Sequence, residues 1–410
     1  MNKKQNVFKK MLIISLCLML WLGVTVFIQA AEEQEILFGA VVPLTGALSA
    51  TGVDAFKAAQ LAVEDINRVG GILGRELKLL AEDDKTNVEE GIKAAKKLVL
   101  ANKVIAIYGP TSDVLIGMMD FCEQYKVPLV GAVSGSSRLD KIGGVYQYRT
   151  CPSDSYEGVV DADFAYNELG LKKVSLITLN GEGTLSVAEG FKEIYLKLGG
   201  EILDDIVVNP GEATYMSSIR AAFEKNPEGV LLSADINVTA TIIKEWRRAG
   251  YGGKIMCGTD VDDSEKFVSL AGEDNLEGVY YTMIASDPDQ VPYRIFEMEA
   301  LTSIGRIAYG APHSYDAITI LALAVQAAGV ATGEAIAENI RRVSNPPGVI
   351  VKSFAEGKAY LQMGEKINYE GASGSIDFDE YGNVPGAFAK YVFDSNAKGI
   401  FVKFYPAETL

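Results

Sequence analysis

The stretch ILFGAVVPLTGALSATGVDAFKAAQLAVEDINRVGGILGRELKLLAEDD, residues 36–84, decides the fold. Its first seven residues, Ile36 to Val42, form an apolar run of strand length, and a turn-rich loop follows. Apolar residues then recur three and four apart from Ala55 to Ile66, which predicts a helix with one buried stripe. A second strand is predicted at 76–81, before Asp83 and Asp84. Such a β-α-β unit predicts two parallel strands joined by a right-handed crossover.

The same alternation of strands and helices continues along the chain, with polar or glycine-rich loops after the strands. After a predicted strand at Val104–Tyr108, Thr111 or Ser112 is placed to cap a helix at Val114–Tyr125. The free N–H groups of that first turn could bind an anion, or the segment could be a plain capped helix. Ligands of open parallel sheets bind beyond the carboxyl ends of the strands, so this loop is a candidate binding site. Strands of a second parallel sheet are predicted at Val174–Leu179, Glu201–Val208, Gly229–Ser233 and Lys254–Cys257.

The N-terminal residues predict export. Four lysines precede an apolar run from Met11 to Ile28, and small residues follow it, which is typical of a secretory signal at residues 1–31. The run just reaches the length that spans a membrane, so an uncleaved anchor is the alternative. Removing the four lysines changes the formal charge from −16 to −20. A protein this acidic is not expected to bind nucleic acid or an anionic membrane.

The sequence contains no recognisable catalytic, metal or cofactor motif. His313 is the only histidine, and no nucleophile motif accompanies it. Gly181-Glu182-Gly183 lacks the third glycine of a dinucleotide fingerprint, and the acids of 371–385 do not complete a calcium loop. The exported part has three widely spaced cysteines without a metal-type pattern, and at most one pair of them could form a disulfide. They are Cys122, Cys151 and Cys257.

Several short sequence motifs, in this order, resemble those of a known protein family. They are PLTG at 43–46, EDINRVGGILGRELKL at 64–79 and EDD at 82–84, followed by Arg149-Thr150 and by DSYEG at 154–158. The chain resembles the leucine-, isoleucine- and valine-binding proteins, extracytoplasmic receptors that supply ABC importers. The resemblance covers nearly all of residues 35–405.

The resemblance implies an α/β fold with two doubly wound parallel-sheet lobes joined by a three-strand hinge, which is the type 1 periplasmic binding protein fold. Residues 35–152 and 280–384 are expected in lobe 1, and residues 153–279 and 385–410 in lobe 2. It further implies a monomeric, non-enzymatic protein, without cofactor or metal, in the periplasm or at the outer face of the cytoplasmic membrane. Its expected partners are a small solute, such as a branched-chain amino acid, and the membrane permease subunits of an ABC importer.

A free amino acid offers an ammonium, a carboxylate and a side chain, and each needs a partner of the matching kind. By resemblance, Thr51 lines the wall of the cleft and Asp260 binds the ammonium. The solute's carboxylate is expected to bind at Thr111, Ser112 or Asp113 and at the loop of Ser134, Gly135 and Ser136. Tyr156, Thr184 and Asp235 complete the candidate residues.

The chain also departs from the family pattern at three of these positions. Asp113 stands where a serine is usual, Gly183-Thr184 replaces a tyrosine-glycine pair, and Asp235 replaces a pocket tyrosine. The inferred pocket is therefore more acidic and less aromatic than a leucine site, and a more polar or cationic solute is an alternative. Two other functions remain as hypotheses, an anchored sensor module of the same fold and an enzyme on doubly wound lobes. The enzyme is disfavoured because no catalytic group of residues is found.

Overall fold

The computed structural model describes residues 35–261, 264–307 and 309–407. The predicted signal sequence, residues 1–31, lies outside these ranges. No single helix in them is long and apolar enough to cross a membrane. By length and composition only, the helices Ala311–Ala328 and Gly333–Ser344, which are bent by 104° at their junction, pass that test as a pair.

The first lobe is built on a sheet of five parallel strands. The predicted β-α-β unit is confirmed, with Ile36 of the first strand opposite Leu77 of the second. Helices cover both faces, which explains why the first strand is an almost unbroken apolar run. In spatial order the strands are β2 (Leu77–Asp83), β1 (Ile36–Val42), β3 (Ile107–Tyr108), β4 (Leu129–Gly131) and β5 (Gln147–Arg149). Its first helices are α1 (Ser49–Arg68), α2 (Val88–Lys96) and α3 (Ser112–Gln124).

The second lobe contains a sheet of seven strands. The four strands predicted for it are confirmed as parallel neighbours, and two antiparallel strands from the end of the chain extend one edge. In spatial order the strands are β15 (Gly399–Tyr405), β14 (Ala387–Phe393), β10 (Tyr280–Ala285), β9 (Lys254–Cys257), β8 (Gly229–Ser233), β6 (Lys173–Leu179) and β7 (Glu201–Val208). Its helices are α4 (Asp154–Asp163), α5 (Glu182–Lys197), α6 (Met216–Phe223), α7 (Ile236–Ala249) and α8 (Glu265–Ala271).

Between β10 and β14 the chain returns to the first lobe. The alanine-rich helix there contributes Ile320 and Leu323 to the core that also contains Phe38 and Ile66. This return adds α9 (Val291–Ser303), α10 (Ala311–Ala328), α11 (Gly333–Ser344) and α12 (Phe354–Gln362), with a small sheet of β11 (Val349–Val351), β12 (Ile367–Gly371) and β13 (Gly374–Ser375).

The chain passes between the two sheets three times, through residues 150–153, 286–290 and 376–386. These segments adjoin strands, but none of them has an assigned strand itself. One expected lobe boundary needs correction. Residues 280–285 were assigned to lobe 1, but they form β10, which pairs with β9 and β14 of the second sheet. The second crossing therefore comes after Ala285.

A buried ion pair connects the elements that follow the crossings in the second lobe. The ammonium of Lys390 on β14 contacts Oδ1 of Asp161 on α4, and both side chains are fully buried. The hydroxyl of Thr282 on β10 lies 2.5 Å from the Lys390 Nζ and 2.6 Å from the same carboxylate oxygen. Oδ2 of Asp161 has no hydrogen-bond partner among the described residues. The pair ties three separate stretches of chain into one lobe.

Two predicted elements differ from the structure in extent. The strand predicted at Val104–Tyr108 is assigned only over Ile107–Tyr108, although the N–H of Ile105 still donates to the carbonyl of Leu37. A short apolar run does not distinguish a strand from a buried extended segment. Thr111 occupies the N-cap position of α3, but its side chain makes no capping hydrogen bond.

Candidate functional site: the cleft between the lobes

A cavity of about 520 Å³ lies between the two lobes. Loops that follow β1, β2 and β3 line it from the first lobe, and loops that follow β6, β8 and β9 line it from the second. The carboxyl ends of both parallel sheets therefore face one space, as expected for ligand sites of open α/β sheets. Its volume lies within the range of about 300 to 1,000 Å³ that is usual for small-molecule sites.

Four predicted residues of the first lobe line this cavity. Thr51 lies in the first turn of α1, and Thr111, Ser112 and Asp113 lie at the start of α3. Thr111 and Ser112 are buried, whereas the side chain of Asp113 is exposed. Across the cavity, Glu182 is the first residue of α5, and burial and the charge of Glu182 raise the pKa of the Asp113 carboxyl above its ordinary value. The first turns of α3 and α5, one from each lobe, therefore both line the cavity, and the free N–H groups of such turns favour an anion.

The expected role of Ser134, Gly135 and Ser136 needs correction, since none of them lines the cavity. The hydroxyl of Ser134 is fully buried and donates to the carbonyl of Pro110. The N–H of Ser136 donates to Ser112 Oγ over 3.1 Å. Short hydroxyl side chains bond readily to nearby backbone, so these serines hold the loop before α3 in place and leave only Ser112 to face a solute.

Gly135 has a second structural role, which sequence reasoning did not find. Its carbonyl accepts the backbone N–H of Asp154 over 2.7 Å. A Cβ on Gly135 would lie 1.7 Å from Asp154 Oδ1, and a Cβ on Gly183 would lie 2.7 Å from Asp154 Oδ2. The Asp154 carboxylate therefore fits between two glycines from different lobes, and it lines the cavity.

Tyr156 does not line the cavity, and its side chain is 41% exposed. The reason is helical periodicity in α4. Asp154 and Glu157 are three residues apart, so they share the face that lines the cavity, whereas Tyr156 lies on another face. The DSYEG motif does contain cavity residues, but they are its two acids, Asp154 and Glu157.

Three predicted residues of the second lobe also line the cavity. Thr184, in the first turn of α5, donates its hydroxyl to the carbonyl of Leu179 over 2.6 Å. Asp235 is the N-cap of α7, where its Oδ1 accepts two backbone N–H groups. Asp260 follows β9 and is half-buried.

The carboxyl groups of this cavity influence one another. Loss of hydration, followed by the charges of Asp235 and Asp154, raises the pKa of Asp260 to about 7. Loss of hydration also raises the pKa of Asp154 to about 7. Burial and the charges of Asp161 and Asp154 raise the pKa of Glu157 well above its ordinary value. Burial and mutual repulsion therefore disfavour ionisation of these carboxyl groups, and at Asp154 the charge of Arg149 offsets this only in part.

Two further residues of the cavity were not predicted. Thr259 donates its backbone N–H and its hydroxyl to the two carboxylate oxygens of Glu157, each over 2.8 Å. The ring of Tyr309 reaches the cavity from the segment before α10, and burial and the charge of Asp154 raise the pKa of its hydroxyl. Thr259 could have been found as the neighbour of Asp260. No sequence motif identifies Tyr309, because only the tertiary fold places it at the cleft.

The two lobes also touch directly beside this cavity. Arg138 of the first lobe forms an ion pair with Glu182 of the second. The hydroxyl of Ser137 donates to Ser186 Oγ over 3.0 Å, and the N–H of Ser137 donates to the same oxygen over 2.9 Å. We call these four residues the seam. It joins the 3₁₀ turn Ser137–Lys141 to the first turns of α5.

The cysteines and the histidine lie away from the cleft lining. The three cysteines named above are free and buried, and burial raises the pKa of the Cys122 and Cys151 thiols to about 12. His313 is buried as well, which lowers its pKa to about 4. Within the described ranges, no group of three or more His, Cys, Asp or Glu side chains is arranged to hold a metal ion.

Comparison with known proteins agrees with this geometry. The model of the periplasmic binding protein family matches residues 35–362. The chain belongs to this family. A relative, the Leu/Ile/Val-binding protein BraC3 of Rhizobium johnstonii, is 29% identical over 338 residues, which are 78% of this chain and 87% of that protein.

Two further comparisons concern the fold of a solved structure and the named role of a relative. The leucine-binding protein LivK of Thermotoga maritima has the same fold, with a TM-score of 0.79 at 24% identity, covering 92% of this chain and all of that chain. BasB of Halobacterium salinarum, a substrate-binding protein of a chemotactic signal transduction system, is 24% identical over 359 residues, 84% of this chain and 83% of that protein.

Proposed function

We propose that this protein is an extracytoplasmic receptor that captures an amino acid or a related small solute in the interlobe cleft and delivers it to an ABC importer. The observation that carries this proposal is the cavity itself, where the carboxyl-end loops of two parallel sheets meet around Asp260. Membership of the binding-protein family supports it, as do relatives named for binding leucine, isoleucine and valine. The N-terminal lysines and apolar run support export. We propose that the protein acts as a monomer outside the cytoplasmic membrane.

In this proposal Asp260 binds the solute's ammonium. Its carboxyl lies in the second lobe, opposite Thr111 and Ser112 of the first, and it accepts no hydrogen bond from the described residues. An ammonium would give the Asp260 carboxylate a positive partner, and Ser112 with the N-terminus of α3 would face the other end of the solute. Closure of the lobes about the three crossings would then bury both ends.

The experiment begins with a thermal-shift screen over amino acids, polyamines and small carboxylates. A solute at a hundred times its dissociation constant stabilises the folded protein by about 2.7 kcal/mol, which raises its melting temperature. If no solute of the screen raises the melting temperature, the receptor proposal is wrong.

Calorimetry with Asp260→Asn then tests the assignment within the cleft. Removing one partner of a desolvated charge pair costs about 2 to 5 kcal/mol, so we expect about thirtyfold weaker binding or more. Glu224→Gln is the matched control, because it removes an exposed acid of the same lobe outside the cleft. Wild-type affinity in Asp260→Asn would show that Asp260 does not contact the solute.

A sensor module of the same fold is the second candidate, and BasB, which belongs to a chemotactic system, supports it. Such a sensor would keep residues 11–28 as an anchor. N-terminal sequencing of the mature protein separates the two candidates, since a chain that begins near residue 32 has lost that anchor.

A further inference from the structure

The cavity has an unusual balance of charge for a site that would bind a neutral zwitterion. Seven acidic residues and no basic residue of the described chain line it, and Arg306, which lines an adjoining space together with Asp260, is paired with Asp54. Of the seven acids, only Glu182 forms an ion pair, with Arg138 at the seam. Asp113, in the first turn of α3, adds a negative charge beside a helix N-terminus that could otherwise bind a solute's carboxylate.

Asp235 is the most buried acid of this group that still has an oxygen available to a solute. Its side chain is 6% exposed, and Oδ1 accepts the N–H groups of Asn237 and Val238 over 2.8 and 3.0 Å. Among the described residues, no donor contacts its Oδ2. Oδ2 is not one of the fully buried atoms without a partner, so this oxygen is open to the cavity and accessible to a cation.

Two further carboxyl groups, those of Asp154 and Asp260, line the same cavity as Asp235. The charge of Asp235 acts on Asp260, and so does the charge of Asp154. No hydrogen bond or ion pair of the described chain reaches the side chain of Asp154 or of Asp260. The positive charge that acts on Asp154 is the guanidinium of Arg149. That group is itself bound by Asp140 and by the carbonyl of Ser136.

A count of charges shows what these three carboxylates require. A zwitterion adds one positive and one negative charge, so its net charge of zero leaves the cleft as acidic as before. Like charges held together in a partly dry site repel each other, and each additional positive charge relieves that repulsion. Either a basic amino acid or an aliphatic diamine provides such an additional positive charge.

We propose that the solute is a small organic cation with a net positive charge, recognised by Asp154, Asp235 and Asp260 of the cleft. This inference rests on the proposed function, since it assigns the class of solute to the same site. Asp235 determines the specificity: it recognises the additional positive charge that a basic amino acid or a diamine carries and a leucine-like solute lacks, at a position where the resembled family commonly has a tyrosine.

Asp235→Asn is the decisive variant, because asparagine caps helices as well as aspartate does and the start of α7 is retained. Calorimetry would measure the binding of L-lysine, putrescine, L-leucine and L-glutamate to the wild-type protein, to Asp235→Asn and to the control Glu224→Gln. We expect L-lysine, putrescine or both to bind at least about tenfold more tightly than L-leucine, with L-glutamate weakest, a difference of about 1.4 kcal/mol. Asp235→Asn should remove most of that advantage, and Glu224→Gln should retain it.

The outcomes separate the two proposals. L-lysine binding without putrescine shows that the solute's carboxylate is also recognised, and putrescine binding alone shows that it is not. If L-leucine binds as tightly as both cations, or if Asp235→Asn leaves the preference for cations unchanged, the inference is overturned and the receptor function stands. If nothing in the thermal-shift screen binds, the receptor function itself is overturned, and the inference with it.

Discussion

Replacing Lys390 by methionine removes the positive partner of the fully buried Asp161. Methionine keeps much of the apolar volume, so the main effect is electrostatic. Oδ2 of Asp161 already lacks a hydrogen-bond partner, and only the hydroxyl of Thr282 remains on Oδ1. Removing one member of a buried pair costs about 3 to 5 kcal/mol, because the remaining charge is isolated.

The structure also gives this cost a pH dependence. An isolated buried carboxylate can be relieved by taking up a proton. For a carboxyl with the ordinary pKa of about 3.9, protonation costs about 4 kcal/mol at pH 7 and about 1.5 kcal/mol at pH 5. The folded variant therefore binds a proton that the unfolded chain releases, so its stability should fall as the pH rises through this window. We expect Lys390→Met to lower the free energy of unfolding by about 4 kcal/mol at pH 7 and by clearly less at pH 5.

Urea unfolding followed by tryptophan fluorescence measures this change. The sequence has two tryptophans, and the one beyond the predicted signal, Trp246, is fully buried in the second lobe. Its emission therefore reports on the lobe that contains the ion pair. Lys173→Gln is the matched control, because Lys173 pairs with Glu201 at the surface, where both side chains are more than half exposed. That control should change stability by no more than about 1 kcal/mol.

The double variant Lys390→Met with Asp161→Asn should recover much of the lost stability, since no isolated charge remains. Two results for Lys390→Met would contradict this reasoning. They are a loss of unfolding free energy below about 1 kcal/mol at pH 7, and an equal loss at pH 5 and pH 7.

Three other predictions concern the cleft. Saturation with solute should reduce the radius of gyration measured by small-angle scattering, because the lobes close; an unchanged radius would contradict closure. Gly135→Ala should weaken solute binding in calorimetry by displacing the Asp154 carboxylate, whereas Gly252→Ala, where no atom lies within 4 Å of the added methyl, should not. Without solute, the free energy of unfolding should fall as the pH rises from about 4 to 7, because the pKa values of Asp154 and Asp260 are raised to about 7 in the folded protein. Asp260→Asn should flatten that fall in urea titrations at several pH values, and an unchanged slope would contradict the assignment.

Much of the fold could be predicted because its signals are local. The apolar run from Ile36 to Val42 and the stripe from Ala55 to Ile66 each follow from spacing within one element. The extent of β3 and the assignment of β10 could not be predicted in this way. Sheet membership depends on hydrogen bonds to distant residues, so Tyr280–Ala285 pairs with β14 more than a hundred residues later along the chain.

The site could be predicted only as far as its loops. Ser112, Asp235 and Asp260 follow strand ends and do line the cavity. Whether a residue of such a loop faces the cavity or supports it depends on side-chain hydrogen bonds that the sequence does not specify, so the bonds of Ser134 and Ser136 within their own region could not be predicted. Their binding roles, and those of the cavity residues, remain predictions.

The acidic lining of the cleft has a kinetic consequence. A concave surface with one sign of charge and poorly polarisable walls concentrates the electric field at its mouth, which raises the rate of encounter for ions of opposite sign by about tenfold to a thousandfold. Salt shortens the reach of that field to about 8 Å at an ionic strength of 0.15 M. Dilute surroundings would therefore accelerate the capture of a cation and hinder the entry of an anion. The escape of a solute already enclosed by both lobes depends on contacts that salt hardly screens. The ionic strength of the surroundings would therefore determine the rate of binding and have little effect on the rate of release.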